Sequence, residues 1–121
     1  KKLNHSNIVK LYDVVITTNS IYLIMEYCAG GDLKSIVEMQ TDIRLSYGYY
    51  QANTKGFQQI VQLGIIHRDL KPANILVHEG VFKICDFGFA KFFNDASRMT
   101  RTCVGTPIYM SPQVLCQKTY T

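Results

Sequence analysis

The chain has 121 residues, a length that leaves room for about one domain. Hydrophobic residues make up 47% and charged residues 18% of it, which excludes a disordered or collagen-like protein. The net charge of +4 is scattered and no apolar run approaches a bilayer span, so we expect neither a nucleic-acid partner nor a membrane span. The chain begins at Lys1 rather than at methionine, so we expect either a processed start or a piece of a longer protein.

The first elements in chain order are two apolar segments, 7–16 and 21–27, with the polar stretch 17–20 between them. Val, Ile and Leu dominate both segments, so this pattern predicts a β-hairpin. The turn 29–31 comes next, and Asp32 after it is a typical helix N-cap. The apolar spacing of the following residues predicts that Asp32 begins a short amphipathic helix whose buried stripe includes Leu33, Ile36 and Val37.

A weaker helical pattern covers residues 46–63. Within it, Gly48 and Gly56 each cost about 1 kcal/mol relative to alanine in a helix interior. Two short apolar runs follow at 75–77 and 81–85, and the turn between them indicates that they pair.

A third apolar run, only two residues long, lies at 65–66. From 90 to 112 the chain is mostly polar and aperiodic, which predicts a long functional loop. Hairpins mixed with helices in this order predict an α+β fold without a parallel sheet.

The four cysteines show no CxxC or Cys/His metal spacing. We therefore expect reduced and mostly packed thiols in an intracellular, cytoplasmic protein. These residues are Cys28, Cys85, Cys103 and Cys116.

The chemistry of the chain is concentrated in segment 67–74, which reads HRDLKPAN, and segment 86–88, which reads DFG. Taken singly, Asp69 is an ordinary turn carboxylate, Lys71 a solvated surface charge and Asn74 a helix cap. Taken together, the patterns His-Arg-Asp-x-x-x-x-Asn and Asp-Phe-Gly fix seven positions, and a chance match is on the order of one in a billion per placement. This combination resembles the catalytic loop and the metal-binding motif of eukaryotic protein kinases.

The resemblance implies a catalytic group of Asp69, Lys71 and Asn74. Asp69 would face the incoming hydroxyl, and Lys71 would offset the charge of the γ-phosphate. Asn74 and Asp86 would hold Mg²⁺ through oxygen ligands, and Gly88 would let the backbone turn after Asp86.

The resemblance also extends upstream and implies a nucleotide site. Met25 would be the gatekeeper, and Glu26 and Cys28 would offer backbone groups to adenine. Asp32 would lie near the ribose and Leu76 beneath the adenine ring. Plain core packing of Met25 and Leu76 is compatible with these roles, because an adenine slot is mostly apolar.

Downstream, residues 105–113 resemble the substrate-positioning loop and the end of the activation segment of the family. Thr106 would form hydrogen bonds near Asp69 and Lys71. Thr102 is either a phosphorylation site whose phosphate pairs with Arg68 or an ordinary solvated loop threonine.

His67 has a structural role in this interpretation. We expect His67 to pack against Phe87 rather than to titrate in the reaction. The residues that the resemblance assigns to activation and regulation are Arg68, Phe87, Gly88, Thr102 and Thr106.

Lys71 in the catalytic loop, with Thr106 after a glycine, resembles serine/threonine kinases rather than tyrosine kinases. The continuation 88–91, which reads GFAK, resembles the autophagy-type Unc-51-like kinases. The implied cofactors are ATP and Mg²⁺, and the implied partner is a protein substrate with a serine or threonine hydroxyl.

The resemblance covers residues 1–121 but only the middle of a kinase domain. It implies a partial kinase-like fold in which 1–27 end the N-lobe and 28–121 form the hinge and the first part of the C-lobe. A glycine-rich phosphate loop and a phosphate-binding lysine are not found in the 121 residues, so we expect this chain by itself to be inactive. The alternatives to an active kinase are an inactive kinase-like binding module and a non-functional truncated product.

Overall fold

A computed structural model of the chain describes residues 3–39, 54–92, 103–116 and 118. The predictions for 46–53 and for Thr102 fall outside these ranges. The elements within them are β1 (Leu11–Ile16), β2 (Ile21–Met25), α1 (Leu33–Met39), α2 (54–62), β3 (Ile65–Ile66), a 3-10 turn (Pro72–Asn74), β4 (Ile75–His78), β5 (Val81–Ile84), β6 (Lys91–Phe92), a second 3-10 turn (Pro107–Tyr109) and α3 (Pro112–Leu115).

The first sheet is the hairpin of β1 and β2, as predicted. The strands run antiparallel, with Ile16 opposite Ile21 at the turn end. The turn is closed by the Thr17 amide, which donates to the carbonyl oxygen of Ser20 at 2.9 Å. Most side chains of both strands are exposed, including apolar ones on both faces. Burial therefore does little to hold this hairpin, which takes its position from the segment that precedes it.

That preceding segment, 7–9, is joined to β5 by backbone hydrogen bonds. The Ile84 amide donates to the Asn7 carbonyl oxygen and the Val9 amide to the Ile84 carbonyl oxygen, both at 2.9 Å. The buried Asn7 side chain adds a bond from Nδ2 to the Phe82 carbonyl oxygen at 2.9 Å. These bonds connect the segment before the first hairpin to β5.

Helix α1 begins where Asp32 predicts. Asp32 Oδ1 accepts from the Ser35 amide at 3.0 Å, and Ser35 Oγ donates to Oδ2 at 2.7 Å, so the N-cap is confirmed. Leu33 is buried and Ile36 half-buried, but Val37 is exposed. The predicted apolar stripe is therefore wrong at Val37: among the described elements α1 packs mainly against the first 3-10 turn and β4, and this packing leaves Val37 exposed.

The buried apolar side chains form two clusters, and the β4–β5 hairpin contributes residues to both. One consists of Ile8, Ile60, Ile65 and Ile84, and the other of Leu33, Ile75 and Phe82. The predicted pairing of the runs 75–77 and 81–85 is confirmed by the β4–β5 ladder. Residues two apart on a strand point to the same face, so Phe82 and Ile84 lie on one face of β5 and Lys83 points to the other.

Glycine 56 lies within α2, and its place in the packing explains why it is tolerated there. A Cβ atom at Gly56 would lie 2.9 Å from the Asn7 carbonyl oxygen and 3.1 Å from Ile84 Cδ1. Glycine lowers the stability of α2, but the absence of a side chain allows α2 to lie close to the segment that leads into the first hairpin.

The loop predicted for 90–112 is partly structured, which corrects the sequence analysis. Lys91 and Phe92 form β6, which pairs with Ile66 and Ile65 of β3. The second 3-10 turn, Pro107–Tyr109, lies near the other end of the segment. A two-residue strand has no periodicity of its own, so its pairing depends on a distant partner.

The α+β prediction is confirmed, because the three ladders of the described residues are two-stranded and antiparallel. All four cysteines are free, as expected. Cys28 is buried and Cys85 half-buried, but Cys103 and Cys116 are exposed, so the expectation of mostly packed thiols is wrong for these two. None of the helices in the described ranges is long and apolar enough to cross a membrane.

Candidate active site

The catalytic-loop segment 67–74 connects β3 to β4, and His67 fixes its start. The buried His67 ring lies 4.9 Å from the Phe87 ring between centroids, which confirms the predicted packing. His67 Nε2 lies 2.9 Å from the Cys85 carbonyl oxygen, and Nδ1 accepts from the Asp69 amide at 3.3 Å. These bonds require a neutral ring protonated on Nε2. Burial lowers the pKa of His67, although its bond to Cys85 opposes the shift.

Asp69 lies at the centre of a charged hydrogen-bond network. Its side chain is only 3% exposed, and Oδ2 lies 2.8 Å from Lys71 Nζ. Asn74 Nδ2 donates to the same oxygen at 3.0 Å, and Thr106 donates to Oδ1 from its amide at 2.9 Å and from its hydroxyl at 2.8 Å. Burial raises the pKa of Asp69, but the hydrogen bonds from Lys71, Thr106 and Asn74 outweigh it and lower the pKa. Asp69 is therefore a carboxylate at neutral pH.

Thr106 closes this network from a distant part of the chain. Its hydroxyl oxygen accepts from Lys71 Nζ at 2.7 Å while the hydroxyl donates to Asp69, so the predicted bonds near these two residues are confirmed. Gly105 makes this approach possible. It has a φ of 116°, and a Cβ atom there would collide with the carbonyl oxygen of Arg68. Gly105 had no predicted role of its own, although its place directly before Thr106 in segment 105–113 was a signal.

Two residues beside the site hold left-handed backbone without being glycine. Arg68 has a φ of 70° and Asp86 a φ of 59°. Arg68 Nε donates to the carbonyl oxygen of Phe89, which links the catalytic loop to the segment after 86–88.

The expectation for Gly88 needs a correction. The backbone of segment 86–88 turns at Asp86, and Gly88 is not among the glycines with positive φ. Asp86 Oδ1 accepts from the Gly88 amide at 3.2 Å, and a Cβ atom at Gly88 would lie 3.1 Å from that oxygen. Gly88 therefore leaves room for the carboxylate instead of supplying the turn.

A cavity of about 810 Å³ is lined by residues of the first hairpin, by Leu76 of β4 and by segment 85–92. It brings together four of the residues that the sequence analysis assigned to nucleotide and metal, namely Met25, Glu26, Leu76 and Asp86. Apolar side chains that the sequence analysis missed complete its walls, among them Val9, Leu11 and Leu23.

The other two predicted nucleotide residues do not line this cavity. Cys28 is buried beside it, and the Asp32 carboxylate is engaged by Ser35 at the start of α1. Cys85 does line the cavity, and burial raises the pKa of its thiol to about 11. This thiol is therefore protonated at neutral pH.

A second cavity, of about 670 Å³, adjoins the Asp69 network on another side. Asp69, Arg68 and Thr106 line it together with Tyr109 and Met110 from the region of the second 3-10 turn. The buried carboxylate therefore borders a space large enough for part of another molecule.

The protein kinase domain family matches the chain over residues 1–121. The chain is 39% identical over 130 residues to serine/threonine-protein kinase atg1 of Dictyostelium discoideum, covering 100% of this chain and 19% of that protein. It is 41% identical to serine/threonine-protein kinase ULK1 of Homo sapiens (99% of this chain, 12% of that protein) and 34% identical to serine/threonine-protein kinase Nek5 of Homo sapiens (99% and 18%).

The chain thus spans less than a fifth of the length of these curated relatives. The relatives are serine/threonine kinases and include members of the predicted Unc-51-like group, so the resemblance seen in the sequence is confirmed. With its entire length matched, the chain belongs to the protein kinase domain family.

Proposed function

We propose that the protein containing this chain transfers the γ-phosphoryl group of ATP to serine or threonine hydroxyls of a protein substrate. The observation that carries the proposal is the Asp69 carboxylate, which is ionised, buried and held by Lys71, Asn74 and Thr106. A carboxylate fixed in this way can orient a hydroxyl and accept its proton. Lys71 stands 2.8 Å from it as a cation for the developing phosphate charge.

The 810 Å³ cavity supports ATP as the phosphate donor. Its mostly apolar lining, which includes Met25 and Leu76, suits an adenine ring. By family resemblance, the backbones of Glu26 and Cys28 would bind the adenine edge and Asp32 would lie near the ribose. The assignments of Cys28 and Asp32 rest on the resemblance alone, because neither residue lines the cavity.

The residues proposed for Mg²⁺ fit that ion in chemical type. Asn74 is buried, and its amide nitrogen is bound to Asp69, so its amide oxygen faces away from that residue. Asp86 offers a carboxylate at the cavity. Among the described residues no three His, Cys, Asp or Glu side chains cluster, and a pair of oxygen ligands suits Mg²⁺, which retains waters and phosphate oxygens. When bound, the ion would neutralise phosphate charge.

We further propose the domain division 1–27 and 28–121, with the hinge of a kinase domain between the two parts. Arg68, Phe87 and Gly88 would organise the activation segment, and Thr102 would be its phosphorylation site, with Arg68 as the partner of the phosphate. An ATP-dependent enzyme with four free cysteines fits the cytoplasm. The 121 residues by themselves would transfer little or no phosphate.

The test is phosphate transfer from radiolabelled ATP to a generic protein substrate by the full-length gene product and its Asp69→Asn variant. We expect transfer to serine and threonine by the wild type and a loss of about 10²-fold or more in the variant, because a neutral amide cannot accept the proton. Glu79→Gln, in an exposed turn, is the matched control and should leave the rate unchanged.

The alternative is a kinase-like binding module. Wild-type protein that is folded and binds ATP but transfers no phosphate would favour that alternative and end the enzyme proposal. Transfer that survives Asp69→Asn would remove the assigned role of Asp69.

A further inference from the structure

Lys83, on β5, has an ionic contact that the proposed reaction does not use. Its side chain is only 12% exposed, although it lies on a strand beside the buried Phe82 and Ile84. Lys83 Nζ lies 3.0 Å from Glu26 Oε1 and donates to the Ser6 carbonyl oxygen at 2.8 Å. One ammonium group therefore connects β5 to two separate parts of the N-terminal region.

Glu26 is held from the other side as well. Its Oε2 accepts from the Lys10 amide at 3.2 Å, and its own amide donates to the Lys10 carbonyl oxygen at 2.8 Å. The Glu26 side chain is 17% exposed. Burial raises the pKa of Glu26, but the hydrogen bonds from Lys83 and Lys10 outweigh it and lower the pKa. The carboxylate is thus ionised and bound through both oxygens.

The position of this pair matters for the nucleotide cavity. Glu26 lines that cavity directly after β2. Lys83 lies opposite Leu76 in the β4–β5 ladder, and Leu76 lines the cavity. β5 ends at Ile84, two residues before Asp86, so Lys83 belongs to a strand that pairs with one cavity residue and leads to the proposed metal ligand.

A second ion pair shows what an ordinary contact looks like in this chain. Lys34 and Glu38 on α1 lie 3.8 Å apart, with side chains 58% and 66% exposed. Such a pair contributes little, because solvent screens it and both side chains lose freedom. The Lys83–Glu26 pair is shorter, less exposed and completed by backbone partners, so removing one member leaves the other charge poorly satisfied.

We propose that Lys83 is a positioning residue for nucleotide binding, which fixes the backbone around Glu26 against β5 so that the adenine-binding edge of the cavity is formed before ATP arrives. This inference rests on the proposed function. It assigns Lys83 no contact with ATP and no part in phosphate transfer. A preformed edge improves binding because less chain must be ordered when the ligand enters.

The experiment compares Lys83→Met with Lys34→Met, its exposed control, in the full-length gene product. We expect the KM for ATP and the Kd of a fluorescent ATP analogue to rise about 2- to 30-fold in Lys83→Met, with kcat unchanged. Lys34→Met should change neither quantity. Lys83→Arg keeps the charge and should recover part of the affinity.

Glu26→Gln tests the same contact from the other side. If the contact acts through the pair, the double variant with Lys83→Met will lose less affinity than the two single losses combined. Should Lys83→Met fail to fold, Glu26→Gln and Lys83→Arg decide the question.

Two results would overturn the proposal. One is an unchanged ATP affinity with a lower melting temperature, which would make the pair merely structural. The other is tighter binding or faster turnover in Lys83→Met, which would mean that the contact restrains the hinge. Because analogue binding does not require phosphate transfer, a failure of the proposed reaction would remain distinguishable from a failure of this inference.

Discussion

The hydroxyl of Thr106 is the most informative group to remove from the site. It donates to Asp69 Oδ1 at 2.8 Å and accepts from Lys71 Nζ at 2.7 Å. Thr106→Val preserves the shape of the side chain and deletes both bonds. The Thr106 amide still donates to Asp69 at 2.9 Å, and Asn74 and Lys71 still hold the other carboxylate oxygen.

The magnitude follows from these remaining partners. A hydrogen bond to a charged group contributes about 1.5–3 kcal/mol, and here two such bonds share one hydroxyl. Since Asp69 retains its other partners, we expect a loss of about 2–3 kcal/mol of transition-state stabilisation. This corresponds to a fall in kcat/KM of about 30- to 150-fold.

The assay is steady-state phosphate transfer by the full-length gene product across a pH series. Burial raises the pKa of Asp69 and the bonds from Lys71 and Thr106 lower it, so Thr106→Val should raise that pKa. The acid limb of kcat/KM should then move to higher pH. Thr106→Ser keeps the hydroxyl and is the matched control. If Thr106→Val retained the wild-type kcat/KM and acid limb, the hydroxyl would have no part in holding Asp69.

Two further predictions concern the backbone and the histidine. Gly105→Ala should lower the free energy of unfolding by about 1–3 kcal/mol in urea titrations and should reduce phosphate transfer, because the positive φ is strained for alanine and the added Cβ meets Arg68. Gly80→Ala is the control, since Gly80 has a φ of 75° but no atom within 4 Å of an added Cβ. It tests the backbone strain without the collision and should leave phosphate transfer intact. Burial lowers the pKa of His67 in the folded state, so stability should be complete above about pH 6.5 and be lost as pH falls towards the folded pKa. The same titrations at several pH values test this, and a His67→Gln variant with an unchanged pH slope would contradict it.

Local signals in the sequence were sufficient for much of this fold. The polar stretch 17–20 and the glycine turn before β5 each predicted a hairpin correctly, because a turn constrains only neighbouring residues. Asp32 predicted the start of α1 for the same reason. The motif spacing also led to the Asp69–Thr106 contact, although only through the family resemblance.

The features that the sequence did not reveal depend on distant partners. Lys83 looks like an ordinary polar residue on one face of a strand, and its importance appears only when β5 lies beside Glu26. In the sequence, Gly56 only weakens the predicted helix, and the reason for a glycine there becomes visible when the Asn7 backbone lies against it. The left-handed turn lies at Asp86 rather than at Gly88 because the surrounding contacts override intrinsic preference.

The left-handed backbone at Arg68 and Asp86 lowers the stability of the fold in order to keep two functional side chains at these positions. Each of these conformations costs a residue with a Cβ atom roughly 1–2 kcal/mol relative to ordinary backbone. Glycine would relieve that cost at either position but would delete the guanidinium or the carboxylate. Selection for heat resistance alone would therefore favour glycine at both positions, whereas selection for the proposed phosphate transfer would retain the strained arginine and aspartate.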